Sequence, residues 1–595
     1  MDLKIKLFLK ESMWPCLIIG LTALIYAGSL SHGFVWDDHD YLVYNPSLGS
    51  LKGLAGFWTL SDPFSAFPLT VSALWMQHAL WGLNPWGYHV VNLTVHILNA
   101  LLLFGLVRRL APTLAGVTAL LFAIHPIQVE TVAWIAEQKN LWCFFFMALA
   151  IHSFLDFHEK GKKWDFAKMA LFFAAALLSK SIAICFSTIP VLFAWWQRGS
   201  VLKRDLLMTG FLLLIGALSV FVPMYNESLG SGSDLSGVFL SEKLILAGKN
   251  FFFYIKQIVW PWRFLTLYPK WDVDVLSWGN WVFPSGVLAL YFVLYQYRQR
   301  LGRGAFALLS FYGISIFPAL GFLTVSLFSI TYASDHFSYL SVPPVLLLCC
   351  GAGRAVFARL PAPSFREWGT LKRSLAVAVV LFLSMVSFRL TLNYKNDVTL
   401  FGQLQRECPD SFFANSRFGI VCIDNPDLCS TDKAIKALER AVRIGPDESL
   451  TLSKLGAAYE LKGLPEQAKE AYLRASIGQD PFSQSHFFRE IGRVGVHQRK
   501  FSEGIPFLEL ALSLKSHPDY LIHRQRYTRF QRTSDPSSEK SADYSFLGQA
   551  YFLSGDFENA LKNFQEAFRL DPQSPSAKKG LEHTRTKLAE RDREA

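Results

Sequence analysis

Asp37 and Asp38 stand side by side in VWDDHDY (35–41), shortly after an apolar run that begins near residue 13. A carboxylate can take a proton from a hydroxyl within hydrogen-bond reach. Adjacent like charges at a partly desolvated surface raise one pKa, which suits a base better than a structural cap. Four more polar clusters interrupt apolar sequence: AIHPIQVETVAWIAEQKN (123–140), LLSKS (177–181), WPWRFLTLYP (260–269) and YASDHFSYL (332–340). They carry the basic groups His125, Lys139, Lys180, Arg263 and His336 and the acids Glu130, Glu137 and Asp335, while Trp36 and Tyr268 complete the set. Charges at membrane depth are costly and tend to mark function. Five clusters at one end of the apolar runs therefore predict one interfacial site. The plain alternatives are an N-cap for the acidic pair and a snorkelling side chain for Lys180. Asp38 and Asp40 have Asp-x-Asp spacing, which leaves a divalent cation open; no cofactor is certain, and the eight cysteines show no metal-ligand spacing.

The elements that must position these groups are apolar helices. Half the residues are hydrophobic (51%) and 15% are aromatic, which excludes disorder and favours a membrane protein. Apolar runs begin near residues 13, 88, 112, 141, 165, 182, 206, 279, 305, 339 and 374. Counted as spans of roughly 17–25 residues, they predict an all-α bundle of about eleven spans over residues 1–391. A soluble helical part follows over 392–595, with the boundary near LNYKNDVTLF (392–401). The net charge of +11 does not point to nucleic acid, because basic residues gather in short loops between apolar runs. Arg108, Arg109, Lys160, Lys162 and Lys163 lie in alternate loops, whereas residues 31–87 hold only Lys52. The positive-inside rule then puts the N-terminus in the cytoplasm. An odd number of spans sends the acidic pair and the soluble part to the other side.

The soluble part repeats. In 541–574, Leu547, Gly548, Tyr551, Gly555, Ala560, Phe564, Ala567 and Pro572 match the tetratricopeptide pattern of paired helices, and Leu455, Gly456, Tyr459, Gly463, Ala468, Tyr472 and Ala475 match it again. Weaker units surround 434–446 and 491–511, and a polar insert at about 521–540 interrupts the array. Stacked helix pairs form a groove for an extended peptide or a partner protein; a spacer or dimerisation arm is the plain alternative. Outside the cytoplasm one pair among Cys408, Cys422 and Cys429 is open to bridging, with Cys422–Cys429 favoured.

The acidic stretch, HPIQVETVAWIAEQKN, the WP…YP segment, SDHFSYL and NYKNDVTLF leading into repeats occur in this order along nearly the whole chain. Together they resemble the transmembrane and tetratricopeptide-repeat family of GT-C-class glycosyltransferases, in bacterial form. The resemblance implies a GT-C-like bundle that moves a sugar from a polyprenyl-phosphate carrier to protein Ser or Thr hydroxyls on the exoplasmic face. It places the essential acid at Asp37 or Asp38. A serine hydroxyl is a poor nucleophile and needs a base. The lipid phosphate leaves more readily beside cations or hydrogen-bond donors, which His125, Lys139, Lys180, Arg263 and His336 are expected to supply. Trp36 is expected to stack on the sugar or anchor its loop, and Glu130, Glu137 and Asp335 to orient the cations or bind an ion. Relatives commonly carry arginine where this chain has Phe67, Gln138 and His336. The expected partners are the carrier-linked sugar, membrane lipid and an acceptor protein held by the repeats, and the expected location is the bacterial inner membrane. Two rivals stay open: transfer to lipid or glycan, or of an oligosaccharide en bloc, and a non-catalytic envelope scaffold.

Overall fold

Helix α1 (Leu3–Tyr26) is the first apolar run, and α2 (Pro85–Leu110) the second. Helix α2 starts where Asn84 caps it, the side-chain oxygen accepting from Trp86 N at 3.2 Å, with Pro85 in the first turn. It ends on Arg108 and Arg109, which complement the negative end of the helix dipole. Helix α3 (Gln138–Lys160) closes on Gly161, whose φ of 67° is the left-handed conformation that glycine adopts without strain. Next comes α4 (Lys163–Ser179), packed along α3, and then α5 (Leu240–Val259), which Glu242 caps by accepting from Phe239 N at 2.7 Å. A last long helix, α6 (Phe365–Thr391), precedes the repeats. The computed structural model describes residues 3–59, 64–229, 239–323, 326–359, 365–528 and 535–594.

Helices α2 and α3 run parallel. Arg109, at the C-terminal end of α2, meets Asp156 and Glu159 near the C-terminal end of α3, at 3.1 and 2.8 Å. The chain between them must therefore return, and it does so brokenly: Pro112–Ile124 and Pro126–Ala133 meet at a bend of 51°, and a further 3-10 turn, Ile135–Glu137, precedes α3. Irregular backbone inside a membrane protein survives only where protein satisfies its polar groups. A buried stripe on α2 does this. Asn92 donates to the carbonyls of Val132 and Trp134, both at 3.1 Å. His96 Nε2 meets the Ala123 carbonyl at 3.0 Å, and Asn99 donates to that of Leu141 at 3.0 Å. Leaving one such group unpaired would cost about 1–3 kcal/mol.

Among the described residues, four helices are long and apolar enough to cross a membrane: Met13–Ser31, Pro85–Leu110, Ile135–Lys160 and Arg373–Tyr394. The bent pair makes five if it counts as one span. The expectation of about eleven spans is thus not supported. Several apolar runs that read as spans fold as shorter or interrupted helices. The run at 165 gives 17 residues, the run at 182 divides into Ser181–Thr188 and Ile189–Arg198, and the run at 305 gives 13.

The chain divides into two compact units, Met1–Leu400 and Phe401–Ala595. The second unit is a stack of helix pairs: Phe412–Asp424 with Thr431–Ile444, Ser449–Leu461 with Pro465–Ser476, Pro481–His497 with Phe501–Leu514, and Pro536–Ser554 with Phe557–Leu570. One contact recurs with the repeat. Ser449, Ser485 and Ser541 each donate to the carbonyl of the alanine 26 residues later, Ala475, Ala511 and Ala567, at 2.7–2.8 Å. Small residues admit the partner's ring: a Cβ on Gly456 would lie 2.8 Å from the Tyr472 ring. The segment expected as a polar insert begins inside a helix, Pro518–Thr528, and its residues 529–534 lie outside the described ones. Cys422 and Cys429 are disulfide-bonded, and Cys408 is not part of that bridge.

Candidate functional site

The acidic loop is built around a strained residue. Trp36 has φ of 48°, a conformation that costs a bulky side chain about 1–3 kcal/mol. Two contacts hold it there, and a third fixes Asp397. Its N–H donates to Asp397 Oδ1 at 2.8 Å, and its ring stacks on Trp134 with centroids 5.3 Å apart. His39 Nε2 reaches the other oxygen of Asp397 at 2.7 Å. That carboxylate raises the His39 pKa above its ordinary value, against the effect of burial.

The two acids of the pair part company here. Asp38 is fully buried and commits both oxygens to backbone, accepting from Val35 N at 3.0 Å and Ala136 N at 2.7 Å. It fastens the loop to the segment before α3. Burial pushes its pKa up to about 8, although the two N–H donors favour the charged form. Asp37 is only partly buried, and among the described residues its carboxylate has no hydrogen-bond partner. Burial raises its pKa; Lys139 opposes this, Glu137 and Asp40 add to it, and His336 opposes it.

Facing Asp37 is a buried ionic cluster from three of the predicted stretches. Glu137 takes Lys139 at 2.8 Å and Lys180 at 3.7 Å, and Asn140 donates to it at 2.5 Å. Lys180 also donates to Asn140 Oδ1 at 2.8 Å, while Lys139 lies 5.4 Å from the centre of the Tyr41 ring. Each lysine has three N–H donors, and their side chains remain 11% and 15% exposed, so both keep capacity for an anion. His336 sits between two glutamates, its Nδ1 3.3 Å from Glu130 and its Nε2 3.8 Å from Glu137. Glu130 also accepts from His336 N at 2.9 Å and from the Ser334 hydroxyl at 2.9 and 3.1 Å.

Other predicted residues are placed apart from this cluster or fastened elsewhere. His125 has both ring nitrogens on backbone, Nε2 on the Ile258 carbonyl at 2.9 Å and Nδ1 on Ile127 N at 3.2 Å, so it bolts the helix break and has no nitrogen left for a phosphate. Asp335 is buried against the Tyr268 hydroxyl at 3.0 Å, and burial together with Glu130 raises its pKa well above the carboxylate range. Tyr268 in turn receives Gln257 at 2.6 Å. Arg263 is an exposed side chain whose backbone carbonyl accepts from Gln257 at 2.9 Å. At two of the positions where the resemblance implies arginine, Gln138 pairs reciprocally with Gln77 at 2.9 and 3.0 Å, and Phe67 packs in an apolar cluster with Tyr41 and Leu42 of the acidic loop. Among the described residues no group of three or more His, Cys, Asp or Glu is arranged to hold a metal ion. Sequence reasoning missed Asp397, which lay unremarked in NYKNDVTLF, and the polar stripe of α2. The spacing of Asn92, His96 and Asn99 on one helical face was the available signal for the stripe.

An all-helical membrane protein with a buried ionic site and a tetratricopeptide array is thus defined. Residues 65–225 match the family described as dolichyl-phosphate-mannose-protein mannosyltransferase, and 541–574 match the tetratricopeptide repeat. Similar proteins include the protein O-mannosyl-transferase F38B6.6 of Caenorhabditis elegans, 24% identical over 72% of this chain and 62% of that one. Tmtc1 of Drosophila melanogaster is 32% identical over 28% of this chain and 20% of its own. Human TMTC4 is 30% identical over 25% of this chain and 24% of its own. The matches span less than two thirds of each of these relatives. The chain is thus similar to GT-C-like, tetratricopeptide-repeat-containing glycosyltransferases.

Proposed function

We propose that this chain transfers a sugar from a polyprenyl-phosphate carrier to a Ser or Thr hydroxyl of a protein on the exoplasmic face of the membrane, the inner membrane if the source is bacterial. The observation that carries the reading is the uncommitted carboxylate of Asp37 facing the Lys139–Glu137–Lys180 cluster. In this scheme Asp37 takes the proton of the acceptor hydroxyl as its oxygen attacks the anomeric carbon. The carbon–phosphate oxygen bond breaks with inversion, and Lys139 and Lys180, steadied by Glu137, receive the charge that collects on the departing phosphate. His336 lies between Glu130 and Glu137 as a further donor at that end. Asp38, Asp397 and Trp134 hold the base in place. The orientation rests on the bias of basic residues in the loops, and it puts the repeats on the same side as the base, where they recruit the acceptor.

The test is single-turnover transfer from a radiolabelled polyprenyl-phosphate sugar by the full chain, beside glycoproteomics of a deletion strain and its parent. Unchanged protein glycosylation in the deletion strain, with no transfer by the purified chain, would refute the proposal.

A further inference from the structure

Helix α5 has two working faces. Its inner face carries Asn250, Tyr254 and Gln257, all buried. Gln257 holds Tyr268 against Asp335, and Tyr254 donates to the Ser334 carbonyl at 3.0 Å. Asn250 donates to the carbonyls of Ala319 and Tyr332 at 2.7 and 2.9 Å and receives Trp271 Nε1 at 2.5 Å. Residues Lys249, Phe252, Lys256 and Trp260 follow one another at helical spacing on the outer face. They line a cavity of about 850 Å³ that Lys270 and Phe283 complete. Lys249 donates to the Asp272 carbonyl and lies 5.4 Å from the centre of the Phe283 ring, and Lys270 lies 5.3 Å from that of Tyr332. The cavity thus combines a rim of three lysines with aromatic walls, and among the described residues Asp272 is the one acid lining it. Trp260, which lines it, is 67% exposed, and Trp262 and Trp278, close by in sequence, are 71% and 89% exposed. Tryptophans presented this way on a membrane protein mark the headgroup level.

We propose that this cavity binds an anionic phospholipid of the surrounding leaflet. The headgroup phosphate sits among Lys249, Lys256 and Lys270, and an acyl chain runs along Phe252, Trp260 and Phe283. Lysine ammonium groups bind phosphate oxygens by charge-assisted hydrogen bonds. The sugar carrier is the other lipid phosphate at hand, but for transfer its phosphate must meet Lys139 and Lys180, which belong to the ionic cluster facing Asp37. The occupant of the cavity is therefore a second molecule. By bracing α5 and the 260–271 segment it steadies Tyr268 and Ser334, and through them Asp335 and Glu130. That consequence for activity, and the exclusion of the sugar carrier as occupant, rest on the proposed transfer reaction; the binding of an anionic lipid does not.

Native mass spectrometry of the delipidated full chain, titrated with phosphatidylglycerol or phosphatidylcholine, reads the binding. One phosphatidylglycerol is retained in preference to phosphatidylcholine, and the Lys249→Gln/Lys256→Gln/Lys270→Gln variant retains several-fold less of it. Equal retention of the two lipids, or unchanged retention by the variant, overturns the proposal. Displacement by glycerol phosphate as readily as by phosphatidylglycerol overturns the lipid assignment in favour of a free phosphate. In nanodiscs, phosphatidylglycerol raises transfer several-fold for the parent and not for the variant, with equal rates in phosphatidylcholine alone. Lysine-dependent retention without transfer in any lipid upholds the lipid site and sinks the transfer reaction.

Discussion

Asparagine at position 37 and asparagine at position 38 are expected to damage the protein in different ways. Asp37 has no hydrogen bond to lose among the described residues, so Asp37→Asn keeps the shape and removes the proton acceptor. Loss of a general base lowers turnover on the order of 100-fold or more, equivalent to about 2.7 kcal/mol in the barrier. Thermal stability and donor binding stay at the parent's level. Asp38→Asn instead turns one of two accepting oxygens into an NH2 group aimed at the N–H of Val35 or Ala136. That leaves a buried donor unpaired and costs about 1–3 kcal/mol of stability. Activity falls with it because the Asp37 loop loosens. Single-turnover transfer at matched protein levels separates the two, with thermal unfolding in parallel. Formate added to Asp37→Gly restores part of the rate, and added to Asp38→Gly restores none. The rate of the parent rises with pH through the pKa of Asp37, which burial lifts above 3.8, and the Asp37→Asn profile loses that rise. Full turnover in Asp37→Asn with a dead but folded Asp38→Asn would refute the assignment of base and brace.

Because Asp397 raises the His39 pKa above 6.5, their pair stabilises the loop fully below pH 6.5 and loses that contribution as pH climbs through the raised value; thermal melts of Asp397→Asn should lack this pH-dependent loss. Lys139→Met and Lys180→Met are each expected to weaken donor binding and slow the chemical step, whereas His125→Gln should lower stability and leave the donor KM unchanged. Cysteines introduced near 45 and 450 should label in intact cells and those near 160 and 300 only after permeabilisation; the reverse pattern would overturn the orientation. Serine at both Cys422 and Cys429 opens a loop of 7 residues and should destabilise the repeat unit by about 2–3 kcal/mol in the chain-entropy treatment, read by melting of the full chain.

The amino-acid sequence by itself determined what is local or periodic. Apolar runs, the placement of basic loops and the small–large spacing of the repeats are read along one helix or helix pair. Gly456 and Tyr472 are already a contact on paper, because the repeat fixes which residues face each other. The stretches holding Glu130, Glu137, Lys139, Lys180 and His336 were likewise legible, since charge in apolar sequence is conspicuous. Tertiary structure alone decided how many runs are whole spans. A helix breaks at His125–Pro126 because groups distant in sequence satisfy the backbone around the break: His96 meets the Ala123 carbonyl, Ser387 donates to that of Ile124, and Asn92 to those of Val132 and Trp134. It alone decided which aspartate is the brace, because the Ala136 N–H that fixes Asp38 lies 98 residues away. And it alone brought in Asp397, 361 residues from the Trp36 N–H it accepts. The worth of a buried charge depends on the partner beside it, and for these groups the partner is a residue distant in sequence that only folding brings near.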